Sequence, residues 1–148
     1  MSDRGVSTVV GYVLNITVAL LLVTGLLVAT SDYVATQRHQ AAETQATVVT
    51  ERLVNDLATA DRLARANDAD RVTVAANAPE RIVGHGYRVT VTDVGDTARI
   101  RLDVQGSSVA VTRTVAVGLD VRNDSRSGGP LTVAAENGTL TFRDGGVR

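Results

Sequence analysis

The chain has 148 residues, with 15 basic and 16 acidic side chains and a formal net charge of −1, a length that allows one compact domain plus an appendage. The near-zero charge, with no run of like charge, argues against a nucleic-acid-binding surface. Cysteine is absent, which excludes disulfides, thiolate zinc sites and cysteine nucleophiles, and there are only two histidines. We therefore expect no metal and no cofactor.

The first predicted element is a membrane-spanning helix. Residues 6–31 contain no charged side chain and are bounded by Arg4 and Asp32. A helix of this length is about 39 Å long, more than the roughly 30 Å hydrocarbon core of a bilayer. A cleaved secretory signal fits poorly, because the apolar stretch is too long and no small-x-small site followed by a turn closes it. Arg4 favours a cytoplasmic N-terminus, an external C-terminal domain and a helix in contact with membrane lipid.

The helix is predicted to continue beyond the span to about Arg65. Residues 32–66 contain no proline or glycine, and apolar residues recur at steps of three and four. These residues form one stripe: Ala42, Ala46, Val49, Leu53, Leu57, Ala60 and Ala64. We expect the largest of them to pack against the following domain: Val49, Leu53 and Leu57. Arg52 with Asp56, and Asp61 with Arg65, stand four apart on more polar faces, where we expect two ion pairs. Asn67, with Asp68 and Asp70, suggests the helix end.

From Arg71 onward the hydrophobic period changes to two, which predicts six to eight short antiparallel strands. The predicted turns are residues 78–80, 94–96, 106–107, 123–130 and 137–138. One strand is expected over residues 114–122. The residues expected to face the core are Tyr87, Val89, Val91, Ile100, Leu102, Val104, Val115, Val117, Leu119 and Val121, whereas Arg88, Thr90, Arg99 and Arg101 face water. The predicted fold class is α+β, with a long N-terminal helix packed at its upper half against a small antiparallel β-rich head.

The N-terminal residues Arg4, Gly5, Val6 and Ser7, followed by a Val/Ile-Gly type apolar run, resemble the class III signal of archaeal type IV pilins in its haloarchaeal form. The resemblance implies that a prepilin peptidase cuts between Gly5 and Val6 on the cytoplasmic side. The apolar helix would be retained, first as a membrane anchor and later in a filament core. The implied organisation is a leader 1–5, a transmembrane or filament-core helix 6–31, its amphipathic continuation 32–67 and a β head 68–148.

Two residues depart from this pattern. Thr8 stands where many haloarchaeal pilins have proline, and Val10 stands where bacterial pilins have a glutamate. The resemblance implies a pilin-like surface subunit, a minor pilin or pilus-associated component at least as much as a major one, whose helix packs against itself or other pilins. The expected helix-packing residues are Val9, Val10, Gly11, Val13, Leu14, Asn15 and Gly25. The alternative is an uncleaved single-pass anchor that displays an extracellular β-rich binding domain.

Asn15 is the polar residue of the span that needs a partner. Its amide either bonds locally or bonds across packed helices and sets their register, at about 1 kcal/mol. Asn15 also begins one of three N-x-Ser/Thr sequons, but its place in the span argues against use. The other two, at Asn123 and Asn137, lie in predicted external turns and are candidate N-glycosylation sites.

No catalytic constellation is evident in the sequence. His39 and His85 have no serine or carboxylate at a suitable spacing, and residues 120–127 lack the ordered spacing of a calcium loop. We expect neither an enzyme nor a small-molecule substrate.

Overall fold

The structure, a computed structural model, describes residues 3–67 and 71–145. Its first element is helix α1, Asp3–Asn67, which ends two residues beyond Arg65, to which periodicity extends it, and at the last residue of the continuation 32–67. Asp68 and Asp70 of the predicted end signal lie outside the described residues, as do Met1 and Ser2 of the predicted leader. Spatial proximity divides the chain into two compact units, Met1–Arg38 and His39–Arg148.

In the second unit, α1 has one buried face. Its core residues are at most 5% exposed: Ala42, Ala46, Val49, Leu53, Leu57 and Ala60. Ala64 is partly buried at the margin of the same core. Thr50 is also buried, and its hydroxyl donates a hydrogen bond to the carbonyl oxygen of Ala46 at 2.8 Å. The buried positions follow the helical period of the apolar stripe, which is therefore the surface that the head covers.

Eight strands follow the helix in the described part of the chain. They are β1 (Arg71–Asn77), β2 (Tyr87–Asp93), β3 (Thr97–Val104), β4 (Ala110–Ala116), β5 (Asp120–Val121), β6 (Asp124–Ser127), β7 (Pro130–Glu136) and β8 (Thr139–Asp144). They form two four-stranded sheets, the first in the order β1-β7-β8-β5 and the second in the order β4-β3-β2-β6. All neighbours are antiparallel except β5 and β8, which are parallel.

The inner faces of the two sheets supply the rest of the core. In the second sheet the register pairs Val89 with Leu102 and Val91 with Ile100, and all four are buried. In the first sheet Val133 and Phe142 are paired and buried. Strands β2 and β3 thus place alternate residues on the core, as a period of two requires, whereas β7 buries three consecutive residues, Val133 to Ala135. The fold class prediction of α+β, with the helix packed on a β-rich head, is confirmed.

The segment 114–122, predicted as one strand, is divided between β4 and β5. The N–H of Val117 donates to the carbonyl oxygen of Asp96 at 3.1 Å. The N–H groups of Gly118 and Leu119 donate to Asp61 on the helix at 2.9 and 3.1 Å. Because three consecutive N–H groups bond outside a strand ladder, the strand is interrupted there.

Strand β6 lies inside the segment 123–130 that was predicted to be a turn. It contains no apolar residue, so it carries no hydrophobic alternation from which a strand is predicted. It pairs with the edge of β2 that β3 leaves free. The parallel pairing of β5 with β8 is a second difference from the wholly antiparallel prediction.

Two contacts join the helix to the head at its surface. The N–H of Val83 donates to the side-chain oxygen of Gln45 at 3.1 Å. Glu51 lies 3.6 Å from Arg113 on β4 as an exposed ion pair. Exposed pairs of this kind contribute little to stability, so the buried stripe is what mainly holds α1 to the sheets.

Candidate functional site

The candidate functional surface is the part of α1 that no described residue covers. Every side chain in residues 9–30 is exposed, including Leu21 at 68%, Leu22 at 70% and Leu26 at 69%. Within the described residues, one helix is long and apolar enough to cross a membrane. Its most apolar stretch has a mean hydropathy of 2.3 and no buried residue. Apolar surface that stays in water costs about 25 cal/mol of free energy per Å². The segment would therefore be more stable in an apolar environment than in water.

The threonine hydroxyls of this segment are satisfied within the helix. Thr17, Thr24 and Thr30 each donate to the carbonyl oxygen four residues earlier, at 2.8 Å in every case. A hydroxyl that bonds back to the preceding turn does not need water or another partner. These residues therefore do not oppose transfer of the helix into lipid or into a helix bundle.

Two tyrosines lie near the ends of the apolar segment, Tyr12 just inside it at 69% exposure and Tyr33 just beyond it at 65%. They are 21 residues apart, which is about 32 Å along a helix and close to the thickness of the hydrocarbon core. Tyrosine is enriched where a membrane meets water. The hydroxyl of Tyr33 also accepts a hydrogen bond from Gln37 at 3.1 Å. The placement of the two rings is compatible with a membrane-spanning segment between them.

Small and polar residues of the segment share one side of the helix with Val18 and Leu22. At 100° per residue, Gly11, Asn15, Gly25 and Ala29 lie within about 40° of a common line along the helix, and Val18 and Leu22 lie within about 20° of it. No heavy atom of the rest of the structure lies within 4 Å of a Cβ built at Gly11 or Gly25. Within the described residues the amide of Asn15 makes no hydrogen bond. Small residues allow helix backbones to approach closely, and an asparagine can bond across the contact.

The predicted processing residues lie at the start of α1. Arg4, Gly5, Val6 and Ser7 are within the helix backbone Asp3–Asn67, and their side chains lie outside the described part. The predicted helix-packing residues Val9, Val10, Val13 and Leu14 are exposed at 63%, 59%, 56% and 64%. The three predicted head-packing residues, in contrast, are buried. Val49, Leu53 and Leu57 are at most 3% exposed.

Asp61 has a role that sequence reasoning missed. Its side chain is only 2% exposed, although its neighbour Arg65 is half exposed and forms the predicted ion pair. One carboxylate oxygen accepts the N–H groups of Gly118 and Leu119, and the other accepts two bonds from Arg65. A Cβ on Gly118 would lie 2.9 Å from the Arg65 guanidinium. Asp61 therefore fastens the end of the helix to the β4–β5 connection.

The position of Asp61 does carry a sequence signal. It follows Leu57 by four residues and therefore lies beside the apolar stripe. A carboxylate at the edge of a buried stripe can itself be buried if backbone N–H groups of another segment donate hydrogen bonds to it. Those N–H groups belong to a segment more than fifty residues away, which the helical pattern does not reveal.

Asp56, one turn before, shows the contrasting case. It is half-buried, and within the described residues it makes no hydrogen bond and does not form the predicted ion pair with Arg52. Burial raises the pKa of its carboxyl group above the ordinary value, and the nearby charge of Arg52 partly opposes this rise. The two lie beside a groove between α1 and the end of β1, near Ala75 and Asn77. Asp56 is thus a carboxylate that the head leaves without a hydrogen-bond donor.

Both candidate glycosylation residues are exposed in the head. The side-chain oxygen of Asn123 accepts the N–H of Asp93 at 2.6 Å, which leaves its amide nitrogen pointing to no described acceptor. Asn137 and Gly138 have φ angles of 49° and 75° and form the tight turn between β7 and β8, as expected for an Asn-Gly hairpin turn.

The remaining candidates lie apart. His85 is in a turn bridged to Ile82, and His39 is exposed on α1. Residues 120–127 form β5 and β6, and Asp124 bonds to Ser125 and Arg126, so the segment is not an open calcium loop. Among the described residues no group of three or more histidine, cysteine, aspartate and glutamate side chains is arranged to hold a metal ion.

Comparison with known proteins gives one match. Residues 1–143 match DUF7266, described as a family of unknown function. No curated protein and no solved structure matches the chain. The matched range includes the N-terminal signal-like residues, the apolar helix and nearly all of the head.

Proposed function

Because the chain belongs to DUF7266, a family of unknown function, its role is inferred from its own residues, and we propose that it is a pilin-like structural subunit of the cell surface. The apolar part of α1 holds the subunit in the membrane, with its N-terminus in the cytoplasm, until assembly. A prepilin peptidase removes residues 1–5, and the retained helix then packs against copies of itself or against other pilins. The rank of minor pilin or pilus-associated component fits the small head.

The observation that carries the proposal is the exposure of every side chain in residues 9–30, directly after the Arg4-Gly5-Val6-Ser7 string. A secreted soluble domain has no use for such a surface, whereas a subunit that moves from lipid to a helix bundle needs it in both states. The face with Gly11 and Asn15 supports the second state, because lipid alone offers the Asn15 amide no partner.

The alternative function is an uncleaved single-pass anchor that displays the head. The internally bonded hydroxyls of Thr17, Thr24 and Thr30 favour it to the extent that they make the helix compatible with lipid alone. The two functions differ in whether residues 1–5 are removed and in whether the apolar helix packs against other helices.

The first experiment is an intact-mass measurement after co-expression with an active prepilin peptidase. We expect a product that begins at Val6. Gly5→Leu should leave the chain at full length, because a bulky side chain blocks the small residue before the cut, whereas Gly11→Leu, a matched change beyond the cut, should be processed normally. A full-length wild-type chain beside a processed reference prepilin would favour the anchor.

The second experiment tests helix packing. The chain has no cysteine, so a single introduced cysteine reports contacts between copies without background. Ala29→Cys lies on the face with Gly11 and Asn15, and Leu20→Cys lies on the opposite face. We expect oxidation in membranes to give disulfide-linked dimers for Ala29→Cys and not for Leu20→Cys. Equal cross-linking of both, or of neither, would contradict packing through this face.

A further inference from the structure

The outer face of the second sheet presents arginines among hydroxyl groups. We define the arginine–hydroxyl face by Arg88 on β2, Arg99 and Arg101 on β3, and their threonine neighbours Thr92, Thr112 and Thr114. The register places Arg99 between Thr92 and Thr114, and Arg101 between Thr90 and Thr112. It places Arg88 opposite Asp103. The three arginines are exposed, because they alternate with the buried residues of the same strands.

The charges of this face are only partly compensated. Arg101 forms a two-nitrogen ion pair with Asp103, with Nη2 2.7 Å and Nε 3.0 Å from Oδ1. Arg88 and Arg99 make no ion pair or hydrogen bond with any residue that the structure describes. The face therefore carries three positive charges against one negative charge, in a chain whose overall net charge is −1.

The arginines on the outer face of the first sheet are paired with a carboxylate. Arg71 and Arg143 both reach Glu136, at 2.7 and 2.6 Å. The Glu136 carboxylate therefore holds both cations of that face. Free guanidinium groups are thus a property of the second sheet and not of exposed strands in this protein generally.

The chemistry of the face points to a polymer with repeated oxyanions. A guanidinium group binds carboxylate, sulfate or phosphate through two parallel hydrogen bonds, and threonine hydroxyls both donate and accept. Arg88 and Arg99 are separated by four residues and one strand, about 14 Å between Cα atoms, which favours successive charges of one polymer over a single small anion. The face has no aromatic residue, so it lacks the stacking platform that single-stranded nucleic acids need.

We propose that the arginine–hydroxyl face binds an acidic polysaccharide, a polymer in which carboxylate or sulfate groups alternate with sugar hydroxyls. The arginines bind the acidic groups, and the threonines bind the sugar hydroxyls between them. The inference goes beyond the pilin-like role and uses only residues of the head, so it holds equally for an uncleaved anchor. Failure of the processing experiment leaves it standing.

The experiment measures binding of the full chain, in a non-ionic detergent at low ionic strength, to immobilised polygalacturonate and dextran sulfate. Arg88→Gln with Arg99→Gln should weaken binding about tenfold or more, because two charge-assisted contacts are lost. The matched control, Arg81→Gln with Arg122→Gln, removes the same charge from exposed arginines elsewhere and should change binding less than about twofold. An equal loss in both double variants would overturn the site, since it would reflect net charge alone.

Two further variants test the details without removing a positive charge. Asp103→Asn releases Arg101 and should tighten binding about threefold. Thr92→Val with Thr114→Val should weaken binding about threefold if the hydroxyls take part, and unchanged binding would contradict their role. Uncharged dextran should not bind. The assignment to a polysaccharide would be overturned if duplex DNA bound as tightly as both polysaccharides and if the Arg88→Gln, Arg99→Gln variant lost DNA binding to the same extent.

Discussion

The two parts of helix α1 have the same backbone conformation and opposite surroundings. In residues 9–30 apolar side chains cover the whole circumference and all are exposed. In the second unit the apolar side chains are confined to one stripe, in which Leu53 and Leu57 are at most 1% exposed. The chain therefore buries the apolar side chains of the second part itself, whereas no described residue covers those of the first part. Substitutions should therefore separate the two parts.

The largest expected effect is in the buried stripe. Leu57→Ala should lower the free energy of unfolding of the head by about 3 kcal/mol, because it removes buried methyl groups and leaves a cavity. Leu22→Ala, the same change in the exposed part, should leave that free energy unchanged. Urea unfolding of the full chain in a non-ionic detergent, followed by hydrogen exchange of the sheet amides, measures both. Equal losses would mean that the head depends on the apolar segment as well.

A smaller effect is expected at the end of the helix. Asp61→Ala should destabilise the head by about 2 kcal/mol, because the N–H groups of Gly118 and Leu119 and the Arg65 guanidinium lose the acceptor that they share. Asp61→Asn keeps an acceptor oxygen and should recover part of the loss. Asp56→Ala is the matched control on the same helix and should cost less, since Asp56 makes no hydrogen bond to the described residues. Thermal unfolding measures the melting temperature of the three variants, and equal melting temperatures would contradict the role of Asp61.

The smallest effect is a pH dependence. Burial raises the pKa of Asp56 above the ordinary value of 3.8 for an aspartate, so the folded chain binds this proton more tightly than the unfolded chain does. The contribution of Asp56 to stability therefore falls as the pH rises from 3.8 through the higher pKa of the folded state, and it is constant at higher pH.

Asp56→Asn removes this contribution. In urea titrations, the difference in stability between Asp56→Asn and the wild type should grow in favour of the variant over that pH window. A difference that does not vary with pH would contradict a raised pKa. Asp103→Asn, which changes an exposed ion pair of the second sheet, provides a comparison outside the helix.

Much of this fold could be predicted because the signals are local. A run without charge predicts an apolar helix, and apolar residues at steps of three and four predict the stripe with Leu53 that the sheets cover. Alternation with a period of two correctly placed Val89 and Leu102 inside and Arg88 outside. These patterns depend only on how many residues separate side chains on one element.

The differences arise where distant segments meet. Asp61 is buried because the N–H groups of residues 118 and 119 face it, β6 exists because β2 offers a free edge, and β5 ends up parallel to β8. The unpaired arginines of the second sheet also depend on tertiary contacts. Register places Asp103 opposite Arg88, but Asp103 forms its ion pair with Arg101 on its own strand, and Arg99 lies between two threonines.

By itself, the amino-acid sequence determined the long helix, its two kinds of surface and the β-rich nature of the head, since secondary structure and its buried face follow from local periodicity. Only the tertiary structure decided the order of the strands, the burial of Asp61 and the grouping of arginines on one sheet. The physical reason is that each of these depends on hydrogen bonds and ion pairs between residues far apart in the chain, whose meeting no local pattern encodes.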